Sequence, residues 1–175
     1  MKKEIIFVFL ISSMLFAFGC TSGSELQLES GKTDFDNGKI QEPANELTQL
    51  AGTTSPYYRF DKAHFENSMQ QSKIIFLDFH ADWCPICQSE KPGILAAFNE
   101  LNNENVVGYQ VHYNDKYTTE DDKEMAKKYG ITYQHTKIII GKDGKVALRS
   151  LEVFSKEKVI NEIEKVYSQT KIFIQ

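Results

Sequence analysis

The feature that most constrains this chain is a pair of cysteines, Cys84 and Cys87, placed between an apolar run and a helical segment. Residues 74–79 are almost entirely apolar, as expected for a central strand buried on both faces. A helix is predicted from Cys84 to about Leu101. Two cysteines three residues apart in the first turn of a helix have Cα atoms about 5–6 Å apart, within the range that a disulfide spans. The pair can therefore cycle between dithiol and disulfide without refolding of the chain.

The two cysteines are expected to have different roles. The sulfur of Cys84 would face unpaired backbone N–H groups and the positive end of the helix dipole, which favour a thiolate. We therefore expect Cys84 to be the partly exposed attacking thiol, and Cys87, one turn deeper, to be covered and to resolve the mixed disulfide. Pro85 suits the first helical turn, and Ile86 makes the rim of the site apolar. Trp83 is expected to shield the disulfide, with an ordinary core position as the alternative interpretation.

The first twenty residues have the pattern of an export signal. Lys2 and Lys3 precede a charge-free run from Ile5 to Phe18, which is too short to span a bilayer comfortably. The end of this run resembles a bacterial lipoprotein signal, in which the chain is cut before Cys20 and that cysteine is lipidated. An uncleaved anchor and an ordinary signal peptide are the alternatives. We expect an extracytoplasmic, membrane-anchored lipoprotein of the cell envelope.

Composition sets the organisation of the rest of the chain. The 175 residues, 41% hydrophobic and 25% charged, fit one globular domain with appendages. The predicted segments are a signal peptide over residues 1–19, a lipidated cysteine with a flexible tether over residues 20–56, and a folded domain over residues 57–175. With Cys20 lipidated, only two thiols remain, which excludes a four-cysteine zinc site. The net charge of -4 and the lack of a basic patch argue against nucleic acid as a partner.

The folded domain is predicted to have the element order β-α-β-α-β-α-β-β-α. Asp61 is expected to cap the first helix, Gly130 to close the third, and Pro92 to kink the second. The predicted strands cover about residues 57–60, 74–79, 106–113, 136–140 and 146–151, and the predicted helices about 61–71, 84–101, 119–129 and 155–168.

These residues carry a resemblance to the thioredoxin family. It rests on residues 78–87, on Pro92, and on residues 129–131 before the next strand, and it covers about residues 57–167. The resemblance implies an α/β thioredoxin-like fold, with a central mixed β-sheet flanked by helices, and the activity of a protein disulfide reductase or oxidoreductase. Together with the export signal, it is similar to membrane-tethered thioredoxin-like lipoproteins.

The resemblance also assigns roles to single positions. It implies that Asp78 is a buried acid that exchanges a proton with Cys87; otherwise Asp78 would point outward or pair with a lysine such as Lys137. Most family members have a cis-proline at the position that His135 occupies here. A trans peptide is therefore expected, because a cis bond before a residue other than proline costs about 2.5–4 kcal/mol. In the family, this part of the chain presents its backbone to the substrate. Because His135 replaces the proline, the same role for Gln134 is in doubt.

Three functional hypotheses follow. The first is an exported thiol–disulfide oxidoreductase that acts on exported protein thiols and disulfides and contributes to cell redox homeostasis. It would exchange electrons with a membrane donor or acceptor, and the sequence does not determine the direction. It would need no cofactor or metal beyond the redox-active Cys84–Cys87 disulfide. The second is a copper- or zinc-binding chaperone with Cys84, Cys87 and His135 as ligands; His135 would otherwise tune the redox pair or form a structural turn. The third is a partner-docking module with a merely structural disulfide.

Overall fold

The computed structural model describes residues 47–172, and the side chains of residues 47–169. The predicted signal peptide, the lipidation site Cys20 and most of the predicted tether lie outside this range. Within it, no helix combines the length and the apolar character that crossing a bilayer requires.

The described residues fold around one mixed sheet of six strands in the order β1-β2-β4-β3-β5-β6. Strand β4 is parallel to both β2 and β3, whereas β5 is antiparallel to β3 and to β6. The strands are β1 (Gln49–Ala51), β2 (Tyr57–Arg59), β3 (Ile74–His80), β4 (Val106–His112), β5 (Thr136–Ile140) and β6 (Val146–Ser150). The helices are α1 (Lys62–Gln70), α2 (Pro85–Glu100), α3 (Glu120–Lys128) and α4 (Lys156–Ile172).

This architecture confirms the predicted α/β fold with a central mixed sheet, and it adds one strand to the predicted order. Strand β1 pairs antiparallel with β2, inside the segment assigned by sequence to the tether. Leu50 and Ala51 pack against the core, and the Gly52 N–H donates to Asn99 Oδ1 at 2.8 Å. A strand of three residues is too short to show an alternating pattern, so its position depends on the partner strand.

Local sequence signals set most helix boundaries. Asp61 caps α1 by accepting the N–H of His64 at 2.8 Å, as predicted. Thr119 and Asp122 form a reciprocal capping box at the start of α3. Gly130 follows that helix with a φ of +58°, a conformation that costs glycine little. Pro92 lies inside α2 without ending it.

The sheet separates two apolar clusters, and this division orients the site. Every residue of β3 is buried. Ile74 and Phe76 belong to the cluster that includes residues of α2 and α4, whereas Ile75 and Leu77 belong to the cluster on the other face. Because successive side chains of a strand point to opposite faces, Asp78 shares the face of Phe76 and is directed toward the α2 side of the sheet.

Candidate active site

The cysteine pair lies at the amino end of α2, where Cys84 is the N-cap residue. Its backbone is extended, with φ −86° and ψ 114°, and its sulfur accepts the backbone N–H of Cys87 at 3.2 Å. Pro85 occupies the first turn, as predicted. Both cysteines are free thiols in the structure. The N-cap bond gives the Cys84 sulfur one of the N–H donors that a helix start leaves unpaired, which stabilises negative charge on that sulfur.

Exposure differs from the prediction at Cys84 and decides between the alternatives for Trp83. Cys84 is 2% exposed and Cys87 3%, so the expectation of a partly exposed Cys84 was wrong. The N-cap contact explains this burial, since the two cysteines and Ala81 pack together as one small cluster. Trp83 is 57% exposed and its Nε1 donates to the Asn114 carbonyl at 2.8 Å, which excludes a core position. Ile86 is also exposed, in agreement with an apolar rim.

Asp78 is buried, with Tyr57 donating a long hydrogen bond of 3.4 Å to its Oδ2 and with Gln110 and Lys137 as its register partners on the adjacent strands. Burial raises the pKa of Asp78 from 3.8 to about 6, although the positive charge of Lys137 partly opposes the shift. A carboxyl group with a pKa close to neutral can both accept and release a proton under ordinary conditions. The alternative of an outward-pointing Asp78 is excluded.

Asp78 and Cys87 influence each other electrostatically. Burial, followed by the hydrogen bond with Cys84, raises the pKa of the Cys87 thiol well above its usual value, and the charge of Asp78 raises it further. Burial and the charge of Asp78 likewise raise the pKa of Tyr57. Cys87 therefore keeps its proton in the resting site, and a nearby base must remove it before the sulfur can attack.

A second buried carboxyl group, Glu90, was not foreseen from the sequence. Its Oε2 forms an ion pair with Lys137 Nζ, and its Oε1 accepts the backbone N–H of Phe154 at 2.6 Å. Lys137 also donates to the His135 carbonyl at 3.0 Å. The alternative that Lys137 pairs with Asp78 is thereby corrected: the two face each other across β3 and β5, but the ion pair of Lys137 is with Glu90.

The sequence does contain a signal for Glu90. Buried positions of α2 recur every three to four residues, and Glu90 falls on that stripe, at Cys87, Glu90, Ile94, Ala97 and Phe98. A carboxylate on a buried stripe predicts a buried cation, and Lys137 is the charged residue of a strand that ends in three isoleucines. Which cation meets which carboxylate depends on how α2 crosses the sheet.

His135 has a left-handed backbone with φ +53°, and its N–H donates to the Phe79 carbonyl at 2.6 Å. Residues 47–172 contain no cis peptide bond, as expected for a chain with histidine at this position. Proline would not fit here, because it lacks the N–H and its φ is fixed near −65°. Gln134 is half-buried beside it. His135 Nδ1 is buried and has no hydrogen-bond partner within the described part of the chain.

Three elements thus bring the predicted site residues together. Asp78 comes from β3, the cysteines from the start of α2, and His135 from the loop before β5. One ligand atom from each of Cys84, Cys87 and His135 lies within 4.8 Å of the others. Two thiolates and an imidazole are ligands that Cu(I) and Zn(II) accept.

Comparison with known proteins agrees with this geometry. The family model described as Thioredoxin matches residues 57–165. No curated protein sequence matches the chain significantly. Among solved structures, the thioredoxin from Aeropyrum pernix has a TM-score of 0.52 at 14% identity, covering 69% of this chain and 94% of its own. Trxlp from Edwardsiella tarda has a TM-score of 0.51 at 19% identity, covering 60% and 95%. A DsbH oxidoreductase has a TM-score of 0.51 at 19% identity, covering 71% and 92%.

Proposed function

Because the chain belongs to the thioredoxin family, we propose that it is an exported, membrane-tethered thiol–disulfide oxidoreductase that acts on protein disulfides through Cys84 and Cys87. The observation that carries the proposal is the N-cap position of Cys84, whose sulfur accepts the Cys87 N–H, with the buried acid Asp78 close to the second thiol. The Cys84 sulfur thus accepts a backbone N–H at the helix start, while the Cys87 thiol, whose pKa is raised, keeps its proton near a buried base.

The reduction of a substrate disulfide would proceed in two exchanges. The Cys84 thiolate attacks one substrate sulfur, forming a mixed disulfide and releasing the other sulfur as a thiolate that takes up a proton. Asp78 accepts the proton of Cys87, whose thiolate then attacks the Cys84 sulfur. The second substrate thiol leaves, and the Cys84–Cys87 disulfide remains. Two electrons pass from the protein to the substrate, and a membrane donor would restore the dithiol; a net oxidase would run the same exchanges in reverse.

The surroundings of Cys84 favour protein substrates. Trp83 and Ile86 flank the sulfur in sequence and expose apolar surface. Exposed aromatic and aliphatic side chains next to a reactive group provide contact area for a polypeptide segment. The buried sulfur would be reached only by a substrate that settles against this rim.

Export and anchoring rest on the sequence of the first twenty residues. If Cys20 is lipidated, the full chain expressed in a bacterial host should incorporate labelled fatty acid and sediment with membranes. Changing Cys20→Ala should abolish the label, whereas Cys84→Ala should leave it unchanged. Equal labelling of the Cys20→Ala variant would rule out lipidation at this residue.

The catalytic proposal is tested by insulin reduction in the presence of dithiothreitol. The full chain should accelerate the reaction, and Cys84→Ser should abolish the acceleration. Cys87→Ser should instead accumulate a mixed disulfide with substrate, visible as a mass adduct that dithiothreitol removes. Cys20→Ser is the matched cysteine control and should keep full activity on this soluble substrate. Equal rates for wild type and Cys84→Ser would overturn the proposal, and the reduction potential of the pair would set the direction of exchange.

A second candidate function is copper or zinc binding by the reduced protein, as in a metal chaperone. Two observations favour it: one ring nitrogen of His135 lies within 4.8 Å of both sulfurs, and its buried Nδ1 has no hydrogen-bond partner among the described residues. Titration of the reduced full chain with Cu(I), the metal that two thiolates select, should then show stoichiometric uptake that is lost on oxidation. His135→Asn is the appropriate variant, because asparagine tolerates the left-handed backbone. Unchanged affinity in this variant would exclude His135 as a ligand.

A further inference from the structure

A group of histidines and aspartates lies at one edge of the sheet, next to the cysteine site but separate from it. His80 ends β3 and His112 ends β4, and the two residues are partners in the parallel register. Their rings contact each other edge to face, with centroids 5.7 Å apart. The carboxyl ends of parallel strands meet at the same edge of a sheet, which is why two histidines 32 positions apart in sequence become neighbours.

Two carboxylates complete the group. Asp82 Oδ1 lies 3.4 Å from His80 Nε2, and Asp115 Oδ2 lies 2.5 Å from His112 Nδ1. The backbone N–H of Asp82 also donates to Asp115 Oδ2 at 3.1 Å. One ligand atom from each of Asp82, His112 and Asp115 lies within 4.8 Å of the others.

His80 is the residue that a purely structural role does not explain. Its side chain is fully buried, yet neither ring nitrogen has a hydrogen-bond partner among residues 47–172. The approach of Nε2 to Asp82 is close without the geometry of a hydrogen bond. Leaving a buried polar group unpaired is unfavourable, so an imidazole retained in this state calls for a ligand that the protein itself does not provide.

Asp115 is held in place for such a ligand. Its Oδ1 accepts hydrogen bonds from the Tyr117 N–H and from Thr118 Oγ1, both at 3.0 Å. Asp82 is 38% exposed, so it offers a route from solvent.

We propose that His80, Asp82, His112 and Asp115 form a binding site for a divalent transition-metal cation of the Zn²⁺ type. Asp82, His112 and Asp115 already bring their ligand atoms within 4.8 Å of one another, and His80 Nε2, 3.4 Å from Asp82 Oδ1, is the fourth ligand. Two nitrogen and two oxygen ligands match the coordination number and ligand preference of Zn²⁺. Imidazole ligands disfavour Ca²⁺ and Mg²⁺, which prefer all-oxygen sites, and the absence of sulfur from the group disfavours Cu(I).

The site would connect two loops beside the cysteines. Asp82 lies two residues before Cys84, and its carbonyl accepts the Gln88 side-chain amide at 2.9 Å in the first turns of α2. The loop after β4 already contacts this segment through Trp83 and Asn114. A cation shared by Asp82 and Asp115 would therefore fix the segment that carries Cys84 to the loop after β4.

The test uses the full chain with Cys84 and Cys87 oxidised to the disulfide and with Cys20 alkylated, so that no thiolate can bind metal. Zinc titration by calorimetry should give one equivalent bound. Cobalt(II) should give the visible d–d bands of a tetrahedral site without a sulfur-to-cobalt charge-transfer band. Failure to bind zinc, or a charge-transfer band, would overturn the proposal.

Substitutions locate the bound cation. Asp82→Asn and His112→Gln should each weaken zinc binding by about 10–100-fold or more. Asp121→Asn removes an exposed carboxylate on α3, and His135→Asn removes the histidine of the cysteine site, which as a disulfide offers no thiolate to a metal. In the oxidised protein both variants should therefore bind zinc as the wild type does. Asp82 is half-exposed, so its variant tests the site even if His112→Gln unfolds. Wild-type affinity in Asp82→Asn, or loss of binding in His135→Asn, would contradict the proposal.

Discussion

Glu90 and Asp78 are both buried on the α2 side of the sheet, but their charges are compensated to different degrees. Glu90 has a lysine as its ion-pair partner and a backbone N–H on its other oxygen. Asp78 accepts one long hydrogen bond from Tyr57 and has no ion-pair partner among the described residues, although the charge of Lys137 acts on it from the neighbouring strand. The first charge is compensated and has a structural role, whereas the second is poorly compensated, which is what a proton acceptor near a catalytic thiol requires.

The largest expected effect comes from removing the cation of the compensated pair. Lys137→Met leaves Glu90 as an unpaired buried charge, so the free energy of unfolding should fall by about 3–5 kcal/mol. Denaturation in urea measures this. The double variant Glu90→Gln with Lys137→Met should recover most of the loss. Lys123→Met breaks an exposed ion pair with Glu120 and should change stability by only about 0–1 kcal/mol. Equal losses for Lys137→Met and Lys123→Met would show that the buried pair is not compensated as described.

A pH-dependent stability term is expected from Asp78. The pKa of Asp78 is about 6 in the folded protein against 3.8 as the ordinary value. The contribution of Asp78 to the free energy of unfolding is therefore fully present below pH 3.8 and is lost as the pH rises through 6. Between these limits the wild type should lose about 3 kcal/mol relative to Asp78→Asn. Urea unfolding of both proteins from about pH 3.5 to 7.5 measures the difference. Asp143→Asn, which changes an exposed carboxylate, should show no such pH-dependent loss. If the free energies of unfolding of the wild type and Asp78→Asn differed by the same amount at every pH, the predicted contribution of Asp78 would be refuted.

The same substitution should slow the second exchange. Without a base beside Cys87, resolution of the mixed disulfide at neutral pH should fall by about 10²-fold. Stopped-flow release of a substrate thiol from a preformed Cys84 mixed disulfide isolates this step. Formation of the mixed disulfide by Cys84 should be much less affected. A variant that slowed both steps equally would point to a general disturbance of the site rather than to proton transfer.

Two smaller changes should move the pKa of Asp78 in opposite directions. The hydrogen bond from Tyr57 lowers the pKa of Asp78, so Tyr57→Phe should raise it. The charge of Glu90 raises the pKa of Asp78, so Glu90→Gln should lower it. Carboxyl carbon chemical shifts in an NMR titration measure both. Shifts of the same sign would mean that the two variants act through a common structural change and not through the named contacts.

Much of the fold follows from local pattern. The unbroken apolar run of β3, the cap at Asp61, the closing Gly130 and the position of Cys84 at a helix start are all fixed by residues within a few positions of one another. The extra strand β1 was not predicted, because three residues carry no periodic signal. The burial of Cys84 was also missed, since the exposure of a helix N-cap depends on what packs over it.

The site shows the same division. Sequence alone identified the cysteine pair, the acid in β3 and the unusual histidine at position 135, because each stands out against its immediate neighbours. It did not reveal that Lys137 would meet Glu90 rather than Asp78, or that His80 and His112 would become neighbours with Asp82 and Asp115. Those pairings depend on strand register and on the crossing of α2 over the sheet, which bring together residues far apart in the chain. The reactive groups were determined by local chemistry, and their partners only by tertiary packing.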